Sequence, residues 1–125
     1  MGGERGRTHG KTVLVVEDER SLRLLCRVNL ELEGHRVHEA ATLAEARAHV
    51  ERQAPDVILL DIHVGAEDGL DLLDEIAALD LPVRIVLLSG SADVGPDLRA
   101  RVDGVLGKPF DLDRLSAAVA DSGVR

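Results

Sequence analysis

Short apolar runs rich in β-branched residues alternate along this chain with longer stretches of helical period. That alternation predicts an α/β fold: an open, five-stranded parallel sheet, doubly wound so that helices cover both faces. Two further observations agree. The strongest runs, at 12–16, 56–60 and 83–88, carry apolar residues on both faces, as strands held between two helical layers must. A chain of 125 residues, 45% of them hydrophobic, also buries roughly two-thirds of its unfolded surface, enough for one core without staples.

Residues 12–16, TVLVV, form the first strand. Residues 21–33 follow as a helix, with Leu22, Leu25, Val28 and Leu32 on its apolar face and Gly34 as its stop. A short strand is expected at 36–40. Thr42, with Glu45 three residues on, makes a capping box and opens a helix to residue 53, ahead of Pro55. The second strong strand spans 56–60, and a loop at 63–68 leads into a helix carrying Leu70, Leu73, Ile76, Ala77 and Leu79. Pro82 ends that stretch. Residues 83–88 are the third strong strand, 89–96 a small, polar loop, 97–101 a short helix and 103–106 a weak last strand. Asp111 caps a final helix to residue 120. Right-handed crossovers distribute such helices over both faces, and ligands bind at the carboxyl ends of the strands.

Composition narrows the function. Fifteen Lys and Arg face 23 Asp and Glu, a net charge of −8, which disfavours nucleic acid and anionic membranes as partners. Phe110 is the only aromatic residue, which excludes stacking platforms for single strands and aromatic membrane belts. Cys26, the one cysteine, has no internal disulfide partner, in keeping with a reducing compartment. Residues 1–10 read as a flexible polar lead without the apolar stretch of a signal peptide, and residues 122–125 as a tail. No apolar run exceeds four residues, so a soluble, cytoplasmic protein with no membrane partner is expected.

Polar residues collect just after the strong strands: Glu17 and Asp18, then Asp61, then Ser89, and Lys108 with Pro109 after the last. In a doubly wound sheet these ends meet at one crevice. Three carboxylates in proximity repel unless some are protonated or a cation sits among them. Oxygen-only ligands suit Mg²⁺. A hydroxyl and an ammonium facing a carboxylate beside that ion would cradle a phosphoryl group. An aspartate is ionised at neutral pH and attacks phosphorus without a general base. Taken singly, each acid fits a helix cap or a solvated loop equally well; the joint pattern at four strand ends is what points to a site.

With these residues the chain resembles the receiver domain of two-component response regulators over residues 11–120. The resemblance is carried by Val13-Leu14-Val15-Val16-Glu17-Asp18-Glu19, Asp56-Val57-Ile58-Leu59-Leu60-Asp61, Asp68-Gly69, Leu87-Leu88-Ser89-Gly90 and Lys108-Pro109-Phe110. It implies a flavodoxin-like, three-layer α/β/α domain at 11–121 with strand order 2-1-3-4-5. It further implies that Asp61 is both the phosphoacceptor and a Mg²⁺ ligand, and that Asp18 ligates the ion directly with Glu17 acting through water. The backbone carbonyl of His63 is a further ligand. Ser89 and Lys108 bind the phosphoryl oxygens, and the peptide before Pro109 is cis. The partners implied are a histidine kinase or histidine phosphotransfer protein and a downstream effector protein, with room for weak self-association.

The chain departs from the family pattern at several positions. Gly65-Ala66 stand where Pro-Gly is common, which is expected to loosen the loop, and Glu17 replaces the commoner Asp. The segment from 89 to 108 is short, so a short or displaced fourth helix is expected. Val105 occupies the switch position where the family carries a rotating aromatic ring. His63, two residues after Asp61, stands where the family tunes hydrolysis of the acyl phosphate, and equally suits an exposed loop. His9, His35, His38 and His49 show no metal spacing and are read as surface residues, Cys26 as a small core residue, and Arg99 and Arg101 as a solvated helix end.

The leading expectation is a single-domain receiver that is no enzyme beyond its own phosphorylation and dephosphorylation, with output through protein contact. One alternative is a pseudo-receiver that docks partners without phosphate. Another is a Mg²⁺-dependent phosphatase of the haloacid-dehalogenase type or a toprim-like nuclease, disfavoured because His63 stands where either needs a second Asp.

Overall fold

The computed structural model describes residues 10–90 and 94–120. The expected lead up to residue 9, residues 91–93 of the loop after Ser89, and the expected tail lie outside the described residues. Counting the strands of the main sheet, the order is β1 (Thr12–Val16), α1 (Arg20–Leu32), β2 (Arg36–Ala40), α2 (Leu43–Arg52), β3 (Val57–Asp61), α3 (Leu70–Leu79), β4 (Arg84–Ser89), α4 (Pro96–Arg99), β5 (Gly104–Gly107) and α5 (Leu112–Ala120). The sheet runs β2-β1-β3-β4-β5, every pairing parallel, which is the doubly wound, flavodoxin-like arrangement.

Strand side chains alternate between faces, and here both faces are covered. Leu14, Val16, Ile58, Leu60, Ile85 and Leu87 pack with Leu43, Ala46 and Val50 of α2 and Leu72, Leu73 and Ile76 of α3. Val13, Val15, Val57, Leu59, Val86 and Leu88 pack with Cys26 and Leu30 of α1 and Leu115 and Val119 of α5. Each such Leu or Ile contributes on the order of 2 kcal/mol through burial, so the continuous apolar runs are the physical cause of the three layers.

The structure moves some expected positions. β3, β4 and β5 each begin and end one residue later than the periodicity suggests, so Asp61 and Ser89 are the last residues of their strands. The ladder continues through them: Ile62 N–H donates to Leu88 O at 3.3 Å, and Lys108 N–H to Ser89 O at 2.7 Å. The buried line of α1 is Leu22, Cys26 and Leu30, whereas Leu25, Val28 and Leu32, expected inside, are 43%, 46% and 80% exposed. His35, His38 and His49 are half-buried rather than superficial. The rings of His38 and His49 meet between β2 and α2 at 5.2 Å, and His35 Nδ1 accepts from Lys11 N–H at 3.0 Å.

The loop after β3 closes into a small antiparallel hairpin, His63–Val64 against Glu67–Asp68, instead of loosening. Gly65 sits at φ +63°, a conformation that favours glycine, and Val64 is buried. Glu67 Oε1 accepts from Leu43 N–H at 3.2 Å, tying this loop to the start of α2. Thr42 caps the same helix through Glu45 N–H, and Glu45 returns to Ala41 N–H. α4 is only four residues long, the short fourth helix expected. Among the described residues no helix is long and apolar enough to cross a membrane.

Candidate functional site

The parallel sheet brings four strand ends side by side, and each delivers one polar group. Glu17 follows β1 directly, its N–H bonded to Ala40 O of β2 at 3.0 Å. Asp61 ends β3, Ser89 ends β4, and Lys108 follows β5. Glu17, Asp61 and Ser89 are 1%, 6% and 3% exposed, and Asp18 lies at the surface beside them. One carboxylate oxygen from each of Glu17, Asp18 and Asp61 falls within 4.8 Å of the others.

Every oxygen of the two buried carboxylates has a donor. Lys108 Nζ donates to Glu17 Oε1 at 2.7 Å and to Asp61 Oδ2 at 2.8 Å, bridging the two. Glu17 Oε2 accepts from Glu19 N–H at 3.0 Å, and Asp61 Oδ1 from His63 N–H at 3.2 Å. Burial pushes the Glu17 carboxyl above the ordinary carboxylate range, against the pull of Lys108 and the Glu19 amide, and the neighbouring Asp61 pushes it the same way. Burial also opposes the charge on Lys108, but its bonds to Asp61 and Glu17 outweigh that and raise its pKa, so it stays an ammonium. Three carboxylates against one ammonium leave two negative charges in excess when all are ionised. An all-oxygen cluster of this kind fits a hard divalent cation such as Mg²⁺.

Two residues essential to this geometry escape the sequence pattern. Gly69, the N-cap of α3, lies so close to the end of β3 that a Cβ there would stand 2.0 Å from Asp61 O. Its N–H donates to Ile62 O at 2.7 Å, so the helix start is pressed onto the backbone of the acidic residue. The Asp68-Gly69 pair is visible in sequence, but nothing there says which backbone it touches. Arg23, in the first turn of α1, donates from Nη1 to Glu17 O at 2.9 Å and to Asp18 O at 3.4 Å. One more arginine on a charged helix gives no such signal.

The remaining expected residues are placed as follows. The Lys108–Pro109 peptide is cis. His63 is exposed and meets Asp61 through its backbone N–H. Val105 is half-buried, pairs with Leu87 in the sheet register and packs with the α2 and α3 layer. Phe110 is half-buried against the α1 and α5 layer and, with Leu22, Leu25, Lys108 and Pro109, lines a surface groove beside the acids.

The family model described as "Response regulator receiver domain" matches residues 13–120. Sporulation initiation phosphotransferase F of Bacillus subtilis (strain 168) is 27% identical over 110 residues, covering 86% of this chain and 89% of that protein. The signal receiver domain of a putative Luxo repressor protein from Vibrio parahaemolyticus superposes with a TM-score of 0.82 at 32% identity, covering 89% of this chain and 88% of that one. The response regulator protein TrrA from Thermotoga maritima, solved in complex with Mg²⁺–BeF, gives 0.78 at 30% identity, covering 87% and 96%. Other curated relatives are transcriptional regulatory proteins, of which the chain spans between 23% and 54% of the length.

Proposed function

Because the chain belongs to the response regulator receiver family, we propose that it accepts a phosphoryl group on Asp61 from a histidine kinase or histidine phosphotransfer protein, with Mg²⁺. The observation that carries this is the bridge of Lys108 between Glu17 and Asp61, with Asp18 alongside. One Asp61 oxygen attacks phosphorus in line. The new P–O bond forms as the P–N bond of the phosphohistidine breaks, and the imidazole leaves with the electron pair. Glu17 and Asp18 would hold the ion together with the carbonyl of His63; when bound, Mg²⁺ neutralises charge on the phosphoryl oxygens. Lys108 transfers a hydrogen bond from Asp61 to a phosphoryl oxygen, and the Ser89 hydroxyl donates to another. The apolar residues left exposed on α1, with the groove of Leu22, Leu25, Pro109 and Phe110 beside Lys108, support a protein as the phosphoryl donor.

The family match sets aside the phosphatase and nuclease alternatives. Output passes to a downstream effector by protein contact, in the cytoplasm. The test is Mg²⁺-dependent labelling with a small acyl or amido phosphate. Asp61→Asn is expected to abolish it, and undiminished labelling would refute the assignment. Val105 at the switch position and the four-residue α4 favour a second reading, a docking module that does not respond to phosphate. A beryllofluoride titration with Mg²⁺, followed by NMR, separates the two. Shifts around Ser89 support the receiver, and none at saturation supports the docking module.

A further inference from the structure

We infer that Arg23 is a positioning residue for the divalent-cation site, a role that rests on the function proposed above. Its guanidinium lies beneath the acidic turn with the side chain only 14% exposed. Nη1 donates to the carbonyls of Glu17 and Asp18, at 2.9 and 3.4 Å, while Nε donates to Glu39 Oε1 at 2.8 Å. Glu39, the penultimate residue of β2, is itself steadied from the other side, where Arg27 Nη1 donates to Oε2 at 2.9 Å.

Three peptide groups of the turn are therefore pinned. Glu17 is held through its N–H on Ala40 O and through its carbonyl on Arg23, and Asp18 through its carbonyl on the same guanidinium. With both peptide bonds of Glu17 fixed, its Cα–Cβ direction is fixed as well, and its carboxylate is aimed at the cluster it shares with Asp18 and Asp61. The guanidinium is permanently charged and its planar fork serves a carboxylate and two carbonyls at once. A lysine ammonium has neither the fork nor the reach to do both. Partners that orient metal ligands without touching the metal typically change affinity by about 10- to 100-fold when removed.

The experiment is a titration with Mn²⁺, read as free ion by electron paramagnetic resonance, because the chain has no Trp or Tyr to report binding by fluorescence. It is run on the wild type, Arg23→Gln, Arg23→Lys and Arg27→Gln, well below each protein's melting point. Arg23→Gln is expected to weaken binding about tenfold, Arg23→Lys to recover only part of the loss, and Arg27→Gln to bind like the wild type. Arg27→Gln removes a bond to Glu39 without touching the turn, so it controls for the ion pair alone. Arg23→Lys keeps the charge and the stem, and reports the role if Arg23→Gln does not fold. Wild-type affinity in both Arg23 variants, with only their melting points lowered, would overturn the inference and leave the proposed function standing. An equal loss in Arg27→Gln would overturn it too. A wild type that binds no Mn²⁺ would overturn both.

Discussion

Gly69→Ala isolates a single contact. The backbone of Gly69 is right-handed helical, φ −58° and ψ −23°, so alanine fits its conformation. At such a position the exchange ordinarily stabilises a protein by about 0.4–1 kcal/mol, through the unfolded state. Here the added Cβ would stand 2.0 Å from Asp61 O and 3.1 Å from Ile62 O, both of them backbone atoms. The start of α3 must move, at a cost of about 1–3 kcal/mol for overpacking. The 2.7 Å bond from Gly69 N–H to Ile62 O then lengthens, forfeiting up to about 1 kcal/mol. The net expectation is a loss of about 2 kcal/mol, or about 8 °C in melting temperature for a domain of this size. Urea unfolding followed by circular dichroism at the helical band measures it. Gly90→Ala, where nothing among the described residues stands within 4 Å of the new Cβ, is the control. An alanine at 69 that is neutral or stabilising would refute the close approach, because the conformational effect and the steric effect have opposite signs.

Other expectations follow from the same geometry. Burial lowers the pKa of His35 below its ordinary 6.5, and its Nδ1 accepts from Lys11 N–H only when the ring is neutral. Its contribution is present above pH 6.5 and is lost as pH falls below that and through the lowered folded-state value, so unfolding free energy should decrease as pH is lowered from about 7.5; an equal decrease in His35→Gln would contradict this. Burial pushes the Cys26 thiol up to about 11. An aromatic disulfide reagent at pH 8 should leave it unmodified in the native protein and react once urea unfolds the chain; native modification within minutes would contradict its burial. Lys108→Met leaves Glu17 and Asp61 without their shared cation. It should cost about 1–2 kcal/mol in chelator, after allowing for the partial exposure of the lysine. Millimolar Mg²⁺ should narrow that gap in urea melts, and a gap unchanged by Mg²⁺ would count against the cation site.

The strands were legible because burial on both faces leaves a continuous apolar run that few other structures explain. The inward face of α1 was not. Leu22, Leu24, Leu25, Cys26, Val28, Leu30 and Leu32 surround most of that helix, so periodicity supplies more than one apolar line. Packing on the sheet chooses Leu22, Cys26 and Leu30. Strand ends shifted by one residue because polarity marks where burial changes chemistry, whereas the ladder bonds run on through Asp61 and Ser89. The acids and the lysine of the site could be read as strand-end residues. Gly69 and Arg23 could not, since one acts by lacking a side chain and the other through carbonyls that every residue possesses.

The bridge made by Lys108 also bears on how the chain comes to be assembled. Its ammonium meets Glu17 across 91 residues and Asp61 across 47, while its amide bonds to Ser89. During synthesis the acids of β1 and β3 emerge well before their counter-charge exists. Contacts so distant along the chain close late, after the loop entropy of the intervening segments has been met. The pocket is thus completed with the last strand, and a truncated or half-folded chain presents Glu17 and Asp61 without the lysine that bridges them.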